Sequence, residues 1–96
     1  MEITSGDFEG VLIAQAVGRV DGTGDTTLQI SATNVTDEQG GYGAVQSHGY
    51  SQLTSSLYMA KIPANTTTTI TATFSKSGDW RRISAIIIPI TGIKSI

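Results

Sequence analysis

The 96-residue sequence predicts an all-β fold, a small antiparallel β-sandwich with jelly-roll or immunoglobulin-like order and about six to eight strands. Three observations predict it. Short runs rich in Val, Ile and Thr alternate apolar and polar residues with the period of two that a strand requires. Gly, Asn, Asp, Ser and Pro clusters separate these runs at turn-like spacings. No stretch of useful length shows the 3.6-residue periodicity of a helix.

Gly10 to Val17 is apolar at both parities and reads as an interior strand covered on each side. Gly18 to Asp25, with three glycines and two aspartates, reads as a turn or exposed loop. Thr27 to Thr33 alternates, with Leu28, Ile30 and Ala32 inward and Gln29, Ser31 and Thr33 outward. Asn34 to Gly43 reads as a long polar loop. Ala44 to Leu53 is a weak strand in which Gly49 marks a bulge. From Ser56 to Ile90, three β-branched runs with short breaks have the layout of an antiparallel meander. These are Leu57–Ile62, Thr67–Phe74 and Arg82–Ile90, with a turn at Pro63-Ala64-Asn65 and a hairpin-type connection at Ser75–Asp79. Thr66–Thr69 starts a solvent-facing strand face, and Pro89 belongs at an edge or bulge, where a missing N–H does no harm.

Residues 1–96 form one domain, since the length suits a single core, and Met1 to Glu9 reads as an extended N-terminal arm. With no cysteine, disulfides and thiolate metal sites are excluded. A net charge of −2, with Arg81-Arg82 the only adjacent basic pair, argues against nucleic acid as a partner. The N-terminus is acidic and polar, unlike a signal or transit peptide, and Ile83–Ile90 is far short of the ~20 residues of a membrane span.

The chemistry-bearing residues are sparse. His48 is the sole histidine, so no histidine-based triad or multi-histidine metal site can form within one chain. Asp21-Gly-Thr-Gly-Asp25 could bring two carboxylates to a cation, but it lacks the further acidic ligands of a calcium loop and reads as a turn. Asp37-Glu38, adjacent in a polar loop, do not have the separation of paired catalytic carboxylates. No catalytic, cofactor-binding or metal residue is assigned, and the chain is not read as an enzyme. The residues best suited to contact are aromatic: Trp80 beside Arg81 and Arg82, and Tyr42, with Tyr50 as a further stacking platform. Tyr58, between Leu57 and Met59, reads as core.

The order of Val11–Ala14, a Gly/Asp loop, an alternating strand, Leu57–Pro63, the Thr-rich Thr67–Phe74 and the aliphatic Ile83–Ile90 resembles small β-sandwich modules of tailed-phage virions. These include capsid decoration proteins, head fibres and tail appendages. The resemblance spans Gly10 to Ile90 and is one of layout, with no diagnostic motif. It implies a virion structural protein that decorates or cements a capsid through protein–protein contacts, as a homo-oligomer. Met1–Glu9 or an edge strand would dock on the shell, and the Thr91–Ile96 tail would pack on a neighbour. The alternative it implies is a carbohydrate- or receptor-binding module of a tail appendage, in which aromatic side chains stack on a surface glycan.

Overall fold

The computed structural model describes residues 1–21, 26–45, 51–75 and 80–90. Its elements are β1 (Glu2–Thr4), β2 (Gly10–Asp21), β3 (Thr26–Ala32), β4 (Thr36–Gly40), β5 (Tyr42–Val45), β6 (Ser51–Ile62), β7 (Thr67–Phe74) and β8 (Trp80–Pro89). They form two four-stranded antiparallel sheets, β1-β7-β3-β5 and β4-β6-β2-β8. We call these sheet 1 and sheet 2. The all-β sandwich expected from the alternation is the fold observed.

The meander is not. Odd-numbered strands make sheet 1 and even-numbered strands make sheet 2, so no two consecutive strands pair. β6 pairs with β2 and β4, β7 with β1 and β3, and β8 with β2. The connection from Phe74 to Trp80 therefore leads from one sheet to the other and closes no hairpin. The physical reason is burial. β2, β3, β6 and β7 each have an apolar inner face, and stacking successive strands in opposite layers lets those faces meet across the core.

The core forms where the middle strands of the two sheets stack. Leu12, Ala14 and Ala16 of β2, with Tyr58, Ala60 and Ile62 of β6, face Leu28 and Ile30 of β3 and Ile70 of β7. Thr68 also points into this layer and is fully buried, whereas Thr67 and Thr69 are exposed, so only alternate members of the threonine run face solvent. Two small alanines on β2 let the sheets approach closely while Tyr58 and Leu12 fill the space beside them.

Three expectations need correction. β2 continues as strand through Gly18 to Asp21, because all twelve of its residues pair with β6; residues 22–25 lie outside the described residues. The polar stretch Asn34–Gly43 contains β4 and the start of β5. β4 is exposed at every residue and pairs with β6 across a register shift between Thr36 and Gln39, where Asp37 adopts φ 52°. Its pairing comes from backbone bonds to β6, which alternation of side chains does not reveal. The weak strand expected over Ala44–Leu53 divides into the end of β5 and the start of β6, and residues 46–50, including Gly49, lie outside the described residues. The N-terminal segment lies along sheet 1, where β1 pairs with Thr67–Thr69 of β7. The Met1 ammonium donates to the Ile70 carbonyl at 3.1 Å, and Ser5, buried, donates its hydroxyl to the Pro63 carbonyl at 2.6 Å.

Gly40 and Gly41 carry the chain from sheet 2 to sheet 1 with φ of 74° and 86°. Gly41 bonds to both layers: its N–H donates to Leu57 of β6, and its carbonyl accepts from Ile30 of β3. A side chain at Gly41 would meet the Ile30 carbonyl and the Tyr58 ring, each at 2.9 Å. Beneath this corner, the Tyr58 hydroxyl donates to Oε1 of Glu38 at 2.6 Å. Burial, reinforced by the Glu38 carboxylate, pushes the phenol well above its ordinary value.

Candidate contact surface

The two outer faces of the sandwich differ in chemistry. On sheet 1, Thr67, Thr69, Thr71 and Thr73 of β7 and Gln29 and Ser31 of β3 face solvent, the hydroxyl-rich surface expected from the alternation. Sheet 2 is aliphatic. Residues directly opposite on antiparallel strands share a face, and the register of β8, β2 and β6 builds cross-strand rows on its outer side. Ile86–Ile13–Met59 form one row, Ile88–Val11–Lys61 the next, and Ser84–Gln15–Leu57 a third. Leu57 is 58% exposed, Ile86 56% and Ile88 41%, and Ile13 and Met59 are half-buried. Between the rows lies a shallow depression of about 210 Å³ bordered by Ile13, Gln15, Leu57 and Ile86. The expected cover over both faces of β2 is thus supplied by a second layer on one side, and among the described residues no strand lies over the outer face of sheet 2.

The edge of this face is β8. Its inner side chains Ile83, Ala85 and Ile87 are only half-buried, since sheet 1 does not reach fully across them. There the sandwich opens into a cleft of about 320 Å³ lined by Met1, Ile70, Ala72, Phe74, Arg81 and Ile83. The direction of the β8 backbone follows from two contacts. The Ile90 N–H donates to the Glu9 carbonyl at 2.9 Å, and the Ile88 carbonyl lies against Gly10. Backbone groups of alternate residues point to opposite sides of a strand. Even-numbered residues of β8 therefore bond to β2, while Ile83, Ala85 and Ile87 direct N–H and C=O away from it. Among the described residues no strand lies on that side. Pro89 has its nitrogen on the same open side, so it interrupts no pairing with β2 and meets the expectation for an edge.

Among the described residues, Tyr42 and Arg82 stand on opposite outer faces of the sandwich. Tyr42, 66% exposed, pairs with Gln29 and stands on the threonine face of sheet 1. Arg82 pairs with Val17 and is exposed on the opposite outer face, while the Arg81 guanidinium carbon sits 4.7 Å from the centroid of the Phe74 ring. Trp80 is described through its backbone pairing with Arg19, and its side chain lies outside the described residues, as do His48 and Tyr50. Leu57, Ile86 and Ile88 carry none of the aromatic and charged groups by which a contact surface stands out in sequence. A signal was present nonetheless: Leu57–Ile62 and Ile83–Ile90 are apolar at both parities, and a two-layer fold can bury only one.

Among the described residues no three His, Cys, Asp or Glu side chains come together as a metal site. Nor is any described helix long and apolar enough to cross a membrane. Glu9 and Lys61 form an ion pair at 3.6 Å near one end of β2 and β6. The class defined by fold and surface is a small two-sheet β-sandwich with one hydroxylated and one aliphatic outer face. No protein-family model, curated protein or solved structure matches the chain.

Proposed function

We propose that this protein is a structural component of a tailed-phage virion, a capsid decoration or cement protein that works through protein–protein contact. The single observation carrying this reading is the difference between the two outer faces. Exposed contiguous aliphatic surface is costly in water and marks interaction sites on folded proteins. Here Leu57, Ile86 and Ile88 lie on one face, opposite a face of threonines suited to solvent. Sheet 2 would seat on the particle and sheet 1 would face outward. The resemblance of strand layout supplies the virion setting.

The test is sedimentation of the protein with capsids and with separated tails. Leu57→Lys places a charge in the middle of the aliphatic rows at an exposed position, where it leaves the fold unchanged. Binding to capsids that this substitution abolishes is the expected result, and equal binding by both proteins refutes the reading. The exposure of Tyr42 on the hydroxyl face favours a second reading, glycan stacking by a tail appendage. It predicts glycan binding that Tyr42→Ala removes and Leu57→Lys does not.

A further inference from the structure

We propose that two copies of this chain pair antiparallel along their β8 edges, about a twofold axis at Ala85, to make one continuous sheet from two copies of sheet 2. The proposal rests on the contact reading above and names a first partner for that surface.

Ile83, Ala85 and Ile87 present backbone donors and acceptors on the open side of β8, the arrangement by which one strand templates another. With Ala85 opposite Ala85 of the second copy, Ile83 falls opposite Ile87 and Ile87 opposite Ile83. Each such pair exchanges two backbone hydrogen bonds. The inner faces of Ile83 and Ile87, half-buried in one copy, would then cover each other. On the outer face Ser84 would meet Ile86, which extends the aliphatic rows across the axis.

The charges fit this occupant. Arg81 and Arg82 stand at one end of β8, and Pro89 and Ile90, beside Gly10 and Glu9, at the other. Antiparallel pairing sets the arginines of each copy at the partner's Gly10 end, which carries Asp7 and Glu9 against the cation Lys61, ion-paired to Glu9, and keeps the two arginine pairs apart. Parallel pairing would put like charges together. The remaining edges do not compete. β4 is bulged at Asp37 and fully exposed, and β1 and β5 span only three and four residues. Pairing like edge with like edge uses both open edges and closes the assembly as a dimer, without propagating into a fibre.

Ala85→Pro removes an N–H that points away from β2 and so spares the pairing of β8 with β2. By light scattering the wild-type protein should show twice the 10.1 kDa mass of one chain, and Ala85→Pro the mass of one, with the same far-UV circular dichroism. Register is read by cross-linking, because the native chain has no cysteine. Ser84→Cys and Ile86→Cys proteins, mixed and oxidised, should cross-link to each other, since those positions face across the axis within disulfide reach. Each alone pairs diagonally, about 7–8 Å apart, and should cross-link poorly. A wild-type monomer at all concentrations, or a Ser84→Cys protein that cross-links best with itself, overturns the proposal. A wild-type protein that is monomeric yet binds capsids, with binding lost in Leu57→Lys, would sink the pairing and leave the contact reading standing. The reverse outcome, a dimer without capsid binding, separates the two in the other direction.

Discussion

Replacing Thr68 with valine should stabilise the protein, although it removes a polar group from a threonine-rich strand. Thr68 is fully buried on β7, opposite Ile3 of β1, and its hydroxyl has no hydrogen-bond partner among the described residues. An unpaired buried hydroxyl carries a desolvation penalty of about 1–3 kcal/mol. Valine has nearly the same shape, keeps the β-branched preference for a strand, and fills the site with a methyl group. We expect a gain of about 1–2 kcal/mol, since some of the penalty is relieved by small shifts of neighbours. For a chain of this length that gain should raise Tm by about 4–16 °C. The assay is urea denaturation followed by circular dichroism at one fixed protein concentration, with the midpoint rising and the m-value unchanged. Thr69→Val, at the exposed neighbouring position, is the control and should change stability by no more than about 0.5 kcal/mol. An unchanged or lowered midpoint for Thr68→Val would refute the reasoning, because it would mean that the hydroxyl is satisfied in the native state.

Other perturbations probe the corner, the N-terminal strand and the contact face. Ser5→Ala should cost about 1–2 kcal/mol in the same denaturation assay, because it leaves the Pro63 carbonyl and the Thr66 N–H without their hydroxyl partner. Tyr58→Phe should cost a similar amount by removing the bond to Glu38, about 1–2 kcal/mol. It should also change the alkaline limb. The folded-state pKa of Tyr58 lies above the unfolded value of about 10, so the neutral phenol favours the fold. That contribution is complete below about pH 10 and is lost as pH rises toward the folded pKa, a decline the phenylalanine variant should lack in a pH series of melts. Gly41→Ala should cost more than about 2 kcal/mol, since φ of 86° is strained for alanine and its methyl would press on the Ile30 carbonyl. Leu57→Lys should leave stability within about 0.5 kcal/mol of the native protein, because the position is exposed, while changing what the protein binds.

How much of the contact surface the sequence revealed depends on the residue considered. Ile86 and Ile88 stood in a run read correctly as a strand, yet nothing local distinguishes a core-facing isoleucine from one facing solvent when both parities are apolar. Burial is decided by whether another layer lies above, which is a property of the whole chain. Tyr42 and Arg82 are both exposed, and sequence proximity to a glycine loop or a tryptophan could not tell that they occupy opposite faces. The Glu38–Tyr58 bond was equally hidden, because it joins a strand without alternation to one read as core.

Alternation of apolar and hydroxyl side chains in Thr26–Ala32 and Thr67–Phe74 determined strand character, inner face and fold class, because the pleat imposes its period of two on every strand wherever it sits. Partner choice has no such local imprint. Backbone donors and acceptors are the same at every residue, so β6, β7 and β8 could have formed a meander as far as their own residues specify. Only the tertiary structure assigned them alternately to two sheets, set the aliphatic rows of sheet 2 outward, and left β8, among the described residues, with an open edge. Closing the core required the inner faces to stack, and that requirement was satisfied by the chain as a whole.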